Sequence, residues 1–223
     1  MKKPELLAPA GSFMAAFHAF EAGADAVYLG MREFSARASA QNFSFAQLRR
    51  VRQLAADRGR RMYVAINTVV REDEMPRLRE ALAWLEAMHV DGVILQDLGV
   101  ADLVLKDYPG LTVHASTQMC VHNDSGLAIA AGLGIRRAIL SRELPFERIR
   151  NLRTRHPGIE LEVFVHGALC YSFSGLCLAS WAVTGRSGNR GECAQVCRSR
   201  FSADDEAGGF EEDHLFSTRE TTR

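Results

Sequence analysis

Apolar residues along this chain alternate between short continuous runs and longer stretches in which they recur every three to four positions. The runs at 6–10, 26–30, 62–66, 92–95, 112–115, 137–140 and 161–165 have the length and continuity of strands covered on both faces, and 214–216 is an eighth candidate. The intervening spacing predicts helices at 13–22, 44–58, 74–88, 101–106, 123–131 and 145–155, with Ser44 and Asn123 placed to cap theirs. Strands alternating with helices across Gly-rich joints predict a parallel sheet. Eight strand candidates in 223 residues predict closure into a (β/α)8 barrel in preference to an open doubly wound sheet. Residues 31–45 fit neither period and form a long polar loop, which in a compact domain is more often functional than idle.

Polar residues follow the ends of these runs. Asn67, Gln96, Asp97, Ser116, Gln118, Arg142, Glu143 and His166 all fall at the C-terminal tips of strand candidates, the end of a barrel where sites are built. Some of them, Ser116 and Ser141 above all, serve equally well as helix caps. Seventh in the series, the strand at 161–165 leads into the most unusual part of the chain, 162–200.

Four of the five cysteines, Cys170, Cys177, Cys193 and Cys197, fall there, separated by six, fifteen and three residues. Four thiolates suffice for a tetrahedral zinc or an iron–sulfur cluster. Zinc ribbons use Cys-x2-Cys knuckles, which are absent, and the looser spacing with Gly175, Gly188 and Gly191 suits a cluster better. Packing as small hydrophobes is the plainer alternative for such thiols, and it is the better reading for the isolated Cys120. Arg186, Arg190, Arg198 and Arg200 against Glu192 give the same segment a positive excess suited to a carboxylate or a phosphate backbone, or simply a solvated basic loop. Tyr171, Phe173 and Trp181 lie nearby, as packing or as stacking surfaces for a base. His166 can be a general acid or base, a proton donor, or a structural histidine, and Glu162 below it on the strand is better suited to tying down a neighbouring polar group.

Composition narrows the class. Formal charge is zero, with 27 basic and 27 acidic residues, so no global field recruits nucleic acid or a membrane and any such partner needs a local patch. No signal-peptide core or bilayer-length apolar stretch is present, which predicts a cytoplasmic protein whose thiols stay reduced and are ligands before they are disulfides.

The segment from Glu162 through His166-Gly-Ala-Leu-Cys170 to Cys177, followed by Gly185-Arg-Ser-Gly-Asn-Arg-Gly191-x-Cys193-x3-Cys197, resembles the peptidase U32 family. Leu7-Ala-Pro-Ala-Gly-Ser12, the loop Phe34-Ser-x-Arg37-Ala-x-Ala-x-Asn42-Phe43 and Ser116-Thr-Gln-Met119 with Asn123 carry the likeness along nearly the whole chain. The glycine-rich version looks most like the branch that forms 5-hydroxycytidine in large-subunit ribosomal RNA. The resemblance implies an RNA hydroxylase with a [4Fe-4S] cluster on Cys170, Cys177, Cys193 and Cys197, and prephenate as a small carboxylate co-substrate. It implies His166, Asn67 and Gln96 as catalytic groups, and Arg37, Asn42, Gln118, Arg142, Arg186 and Arg190 as substrate contacts. A peptidase, with Cys170 or a serine as nucleophile and His166 as base, is the reading the family label asserts, and a zinc-held RNA-binding module is a third. No Gly-x-Ser-x-Gly elbow or His-Glu-x-x-His helix supports the peptidase. Residues 1–223 are expected to form one barrel domain with its cysteine-rich segment at 167–200, shortened at its C-terminus relative to the family, since too little chain follows 214–216 for an eighth helix.

Overall fold

The computed structural model of the chain describes residues 3–36, 42–167, 170–173 and 176–199. Seven parallel strands stand side by side in chain order: β1 (Leu7–Pro9), β2 (Ala26–Gly30), β3 (Arg61–Ile66), β4 (Gly92–Leu95), β5 (Val113–Ala115), β6 (Arg137–Ile139) and β7 (Glu160–Glu162). A doubly wound sheet would reverse its order at a switch point, and this one never does. The result is a curled half-barrel of the (β/α)8 type. The eighth strand expected at 214–216 lies outside the described residues.

Helices α1 (Phe13–Glu21), α2 (Phe45–Asp57), α3 (Met75–Ala87), α4 (Leu98–Asp107), α5 (Asp124–Leu133) and α6 (Phe146–Arg155) fill the crossovers, and a short α7 (Ala179–Thr184) lies in the cysteine-rich segment. Their starts follow local chemistry. Ser12 accepts from the Ala15 amide, Ser44 and Gln47 close a reciprocal capping box on α2, and Asn123 accepts from the Gly126 amide. Asp97 accepts from the Gly99 and Val100 amides, so α4 begins three residues before the expected 101. Strand β7 ends at Glu162 where the pattern predicted 165. Val163, Phe164 and Val165 leave the sheet as exposed residues, so apolarity there marks surface and not strand.

Alternation along the strands sorts two cores. Val27, Leu29, Met62, Val64, Val93, Leu95, Val113, Ala138 and Leu140 point outward and pack under the helices with Phe20, Leu48, Leu82, Val104 and Leu127. Ala26, Tyr63, Ala65, Ile94 and Ile139 point inward, joined by Leu7 and Tyr28. Below that inner layer, at the N-terminal ends of the strands, the interior turns polar. Arg137 of β6 donates to Glu5 Oε1 at 2.7 Å, to Glu160 Oε2 at 2.6 Å and to Glu162 Oε2 at 3.3 Å, so one guanidinium joins the segment entering β1 to β7. Arg61 pairs with Glu5 from the other side, and Tyr63 donates its hydroxyl to the same carboxylate. Burial raises the Glu162 carboxyl above its ordinary range. Glu160 is pushed the same way by burial, but the hydrogen bond and charge of Arg137 outweigh it and hold it low. Burial also pushes His114, tilted against the Tyr63 ring at 4.7 Å, down to about 3, so it stays neutral.

Among the described residues no helix is long and apolar enough to cross a membrane. Removing a buried charge from such a network strands its partners. Arg137→Ala is therefore expected to lower unfolding free energy by about 3–5 kcal/mol in chemical denaturation.

Candidate functional site

Four of the seven strand tips on the C-terminal side add a polar residue two positions beyond an inward-facing strand residue: Asn67 after Ala65, Gln96 after Ile94, Ser116 after His114 and Ser141 after Ile139. These four therefore share the mouth of the half-barrel. Two have structural partners. Asn67 Oδ1 accepts from the Ala36 amide at 2.9 Å and so holds the loop after β2, and Ser116 accepts from the Gln118 amide. The other two do not. Gln96 Oε1 and Ser141 Oγ are buried without a hydrogen-bond partner among the described residues, and so is Arg142 Nε next door. Buried polar atoms are normally paired, so an acceptor, a hydroxyl and a guanidinium donor left together at a barrel mouth form an arrangement suited to a polar ligand.

Beside them, His122 stacks on Phe173 at 4.4 Å with rings 16° from parallel, and its Nε2 lies 3.8 Å from the Glu143 carboxylate. Phe173 belongs to the cysteine-rich segment, so this stack lays that segment against the tips of β5 and β6. Cys120 turns the chain there in a left-handed conformation, and burial, followed by the charge of Glu143, raises its thiol above the ordinary range. It is a packed group, as its isolation suggested.

A second contact ties the segment to the opposite side of the mouth. Arg190 grips Glu74 with two nitrogens, at 2.9 and 2.6 Å, and donates to the Val69 carbonyl at 2.8 Å, while the Val69 amide donates to the Asn189 carbonyl. Glu74 is buried, accepts also from the Arg71 amide, and is held down to about 2, chiefly by the Arg190 hydrogen bonds. Nothing in the local sequence marks Glu74, which reads as an ordinary first-turn acid of α3. The guanidinium expected to hold substrate is in this structure the bolt of the cap, whereas Arg186, four residues earlier, is exposed.

The remaining expected residues fall as follows. Asn42 is half-buried beside Gly30, where a Cβ would collide with the Ser35 hydroxyl and press on Asn42 Oδ1. Gln118 is half-buried on the turn after β5. His166 is exposed on the chain leaving β7, and no hydrogen bond joins it to Cys170 among the described residues. Arg37 lies outside the described residues.

All four clustered cysteines are free. Cys170 and Cys193 are exposed, and Cys177 and Cys197 half-buried. Burial raises the Cys197 thiol, and the charges of Cys170, Cys193 and Cys177 push it the same way against the opposing charge of Arg198. Among the described residues no three His, Cys, Asp or Glu side chains converge on a point that could hold a single ion. Four free cysteines on one segment supply, in number and chemistry, the ligands of a group that takes each thiolate at a different atom.

Fold and site together define a protein of the (β/α)8 half-barrel type with polar side chains gathered at the C-terminal strand tips. Residues 11–222 match the model of Peptidase family U32, and the chain belongs to that family. It is 36% identical over 203 residues to the tRNA hydroxylation protein P of Haemophilus influenzae, covering 91% of this chain and 44% of that protein. It is also 36% identical over 218 residues to the 23S rRNA 5-hydroxycytidine C2501 synthase of Escherichia coli, covering 97% of this chain and 33% of that one. The chain thus spans less than half the length of these two relatives. Among solved structures, the U32 peptidase Mk0906 superposes with a TM-score of 0.64 at 20% identity over 77% of this chain and 73% of that one, a likeness of fold.

Two outcomes test this geometry. Glu74 is depressed in the folded state, so its stabilisation of the cap is complete above the ordinary carboxylate pKa and is lost as pH falls through about 4.5 towards 2. Hydrogen exchange over 186–198 should rise in that window, and Glu74→Gln should show the fast exchange already at neutral pH. Gln96→Met removes an unpaired buried amide oxygen, so stability should hold or rise by about 1 kcal/mol while any activity of the site falls.

Proposed function

We propose that this chain carries the catalytic barrel of an iron–sulfur-dependent RNA hydroxylase, most similar to those forming 5-hydroxycytidine in 23S ribosomal RNA. The observation that carries the reading is the coincidence of two sets of groups: four free cysteines on the segment after β7, and the unpaired Gln96, Ser141 and Arg142 atoms at the strand tips. Names of relatives that hydroxylate tRNA and rRNA support the reaction class.

Cys170, Cys177, Cys193 and Cys197 would hold a [4Fe-4S] cluster, which when bound supplies one-electron chemistry. Arg142 donates to a carboxylate through Nε, and Ser141 and Gln96 complete its polar contacts, which suits a small carboxylate co-substrate such as prephenate. His166, exposed on the rim, can give or take a proton at a target base, and Arg186 can meet the phosphate beside it. Asn67 acts by positioning, since its side chain accepts from the Ala36 amide and anchors the chain after β2. The stacked His122–Phe173 pair and the Arg190–Glu74 bolt hold the cap over the mouth from two sides, which excludes water from the groups beneath. Reduced thiols require a reducing compartment, in keeping with a cytoplasmic enzyme.

Anaerobic purification followed by iron, sulfide and zinc analysis, together with mass spectrometry of RNA from a complemented deletion strain, tests the assignment. Stoichiometric iron and sulfide, lost in Cys193→Ala together with the hydroxylated nucleoside, are expected. Zinc in place of iron would point to the RNA-binding module instead, and peptide cleavage by an iron-free preparation would establish the peptidase.

A further inference from the structure

Away from the mouth, α2 and α3 flank a groove of about 380 Å³ on the outside of the barrel, lined by Arg49, Arg52, Gln53, Trp84 and His89 with Ala56, Ala87 and Met88. Every formally charged side chain in that lining is an arginine. Four other arginines on or beside these two helices are neutralised: Arg58 pairs with Glu21, Arg60 with Asp25, Arg77 with Glu33 and Arg79 with Asp107. Arg49, Arg50 and Arg52 on α2 have no carboxylate partner among the described residues. Arg49 instead lies over the indole of Trp84, 5.9 Å from the ring centroid. Arg52 donates Nε to the His89 carbonyl at 2.9 Å, which fixes its guanidinium on the groove wall.

The aromatic component is equally unusual. Trp84 is 42% exposed and Phe45, outside the groove lining, 39% exposed, and their rings stack at 5.7 Å with 27° between planes. Exposed cations alone would serve any acidic partner. Cations beside a half-exposed indole match a polymer that alternates phosphates with flat bases, because any base offers a π-face that can take the place of the Arg49 guanidinium on the ring and leave that cation to a phosphate. In a chain of zero net charge, such a stripe is the local patch that RNA binding requires.

We infer that the α2–α3 groove is a docking track for single-stranded RNA, with Arg49 and Arg52 on successive phosphates and a base stacked on Trp84. It deepens the hydroxylase reading by assigning a surface that holds the polynucleotide outside the site where the reaction occurs. A track on the barrel wall would carry affinity without sequence preference, leaving base choice to the mouth.

Fluorescence anisotropy with the intact chain and a short labelled single-stranded RNA, over a salt series, tests it. Arg49→Gln/Arg52→Gln should weaken binding and lower the slope of log affinity against log salt by about 1.4, at about 0.7 per phosphate contact. Trp84→Ala should weaken binding roughly 5- to 100-fold, with Trp84→Phe restoring most of it. All of these positions are at least partly solvent-exposed, and unchanged melting curves confirm intact folds. Unaltered affinity and salt slope in the arginine pair would overturn the inference. So would a normal Trp84→Ala variant from which polyglutamate displaces RNA as well as RNA itself does, since that marks a mere anion sink. Cys193→Ala should bind RNA normally. Binding through the groove without hydroxylation in the wild type would sink the hydroxylase reading alone, and groove variants that bind and hydroxylate like wild type would sink the docking track alone.

Discussion

Arg137 is the constraint on which the rest of this fold depends. A parallel sheet that curls without a described eighth strand has two free edges, and nothing in strand pairing alone sets how far apart they stand. The guanidinium, rooted in the sixth strand, reaches the carboxylate before the first and two carboxylates on the seventh, so a single planar group spans the opening. Its side chain is only 8% exposed, which makes the attraction strong and its loss costly. Tyr63, with its ring 5.2 Å beneath the guanidinium, fills the space that an aliphatic layer would occupy in a simpler barrel.

The two ends of the barrel consequently have opposite characters. At the N-terminal end Arg137 is matched by Glu5, Glu160 and Glu162, and His114 is kept neutral. The C-terminal end keeps polar atoms without partners, and the cysteine-rich segment is fastened beside them at Glu74 and at His122. Stability resides at one end of the strands and unsatisfied chemistry at the other, the division expected of a β/α barrel.

Much of this was legible in the sequence where the signal is local. The strands at 26–30 and 92–95 fall where the continuous apolar runs put them, and Ser44 and Asn123 cap as their side chains allow. The mouth residues were legible for a related reason, since a polar residue after an apolar run has few other places to go. What escaped was either long-range or disguised. Glu74 and Arg190 are 116 residues apart and each is unremarkable in its own neighbourhood, so Arg190 looked like a free cation for substrate. Arg137 sits in a strand beside a second arginine, and only the inward parity of its position, with Glu160 and Glu162 at matching parity, hinted at a buried network. The apolar 163–165 looked like strand because hydrophobicity cannot distinguish a buried run from one left on the surface.

The order of these features along the chain sets an order of events. All seven strands, Arg137 and the three acids it binds precede the first clustered cysteine, and Glu74 is in place long before Arg190. As the polypeptide leaves the ribosome, the barrel wall can therefore assemble while no thiol of the cap is yet exposed. Its socket for Arg190 then waits for the cap to arrive. Any group inserted between those thiols would therefore meet a barrel wall that is already folded.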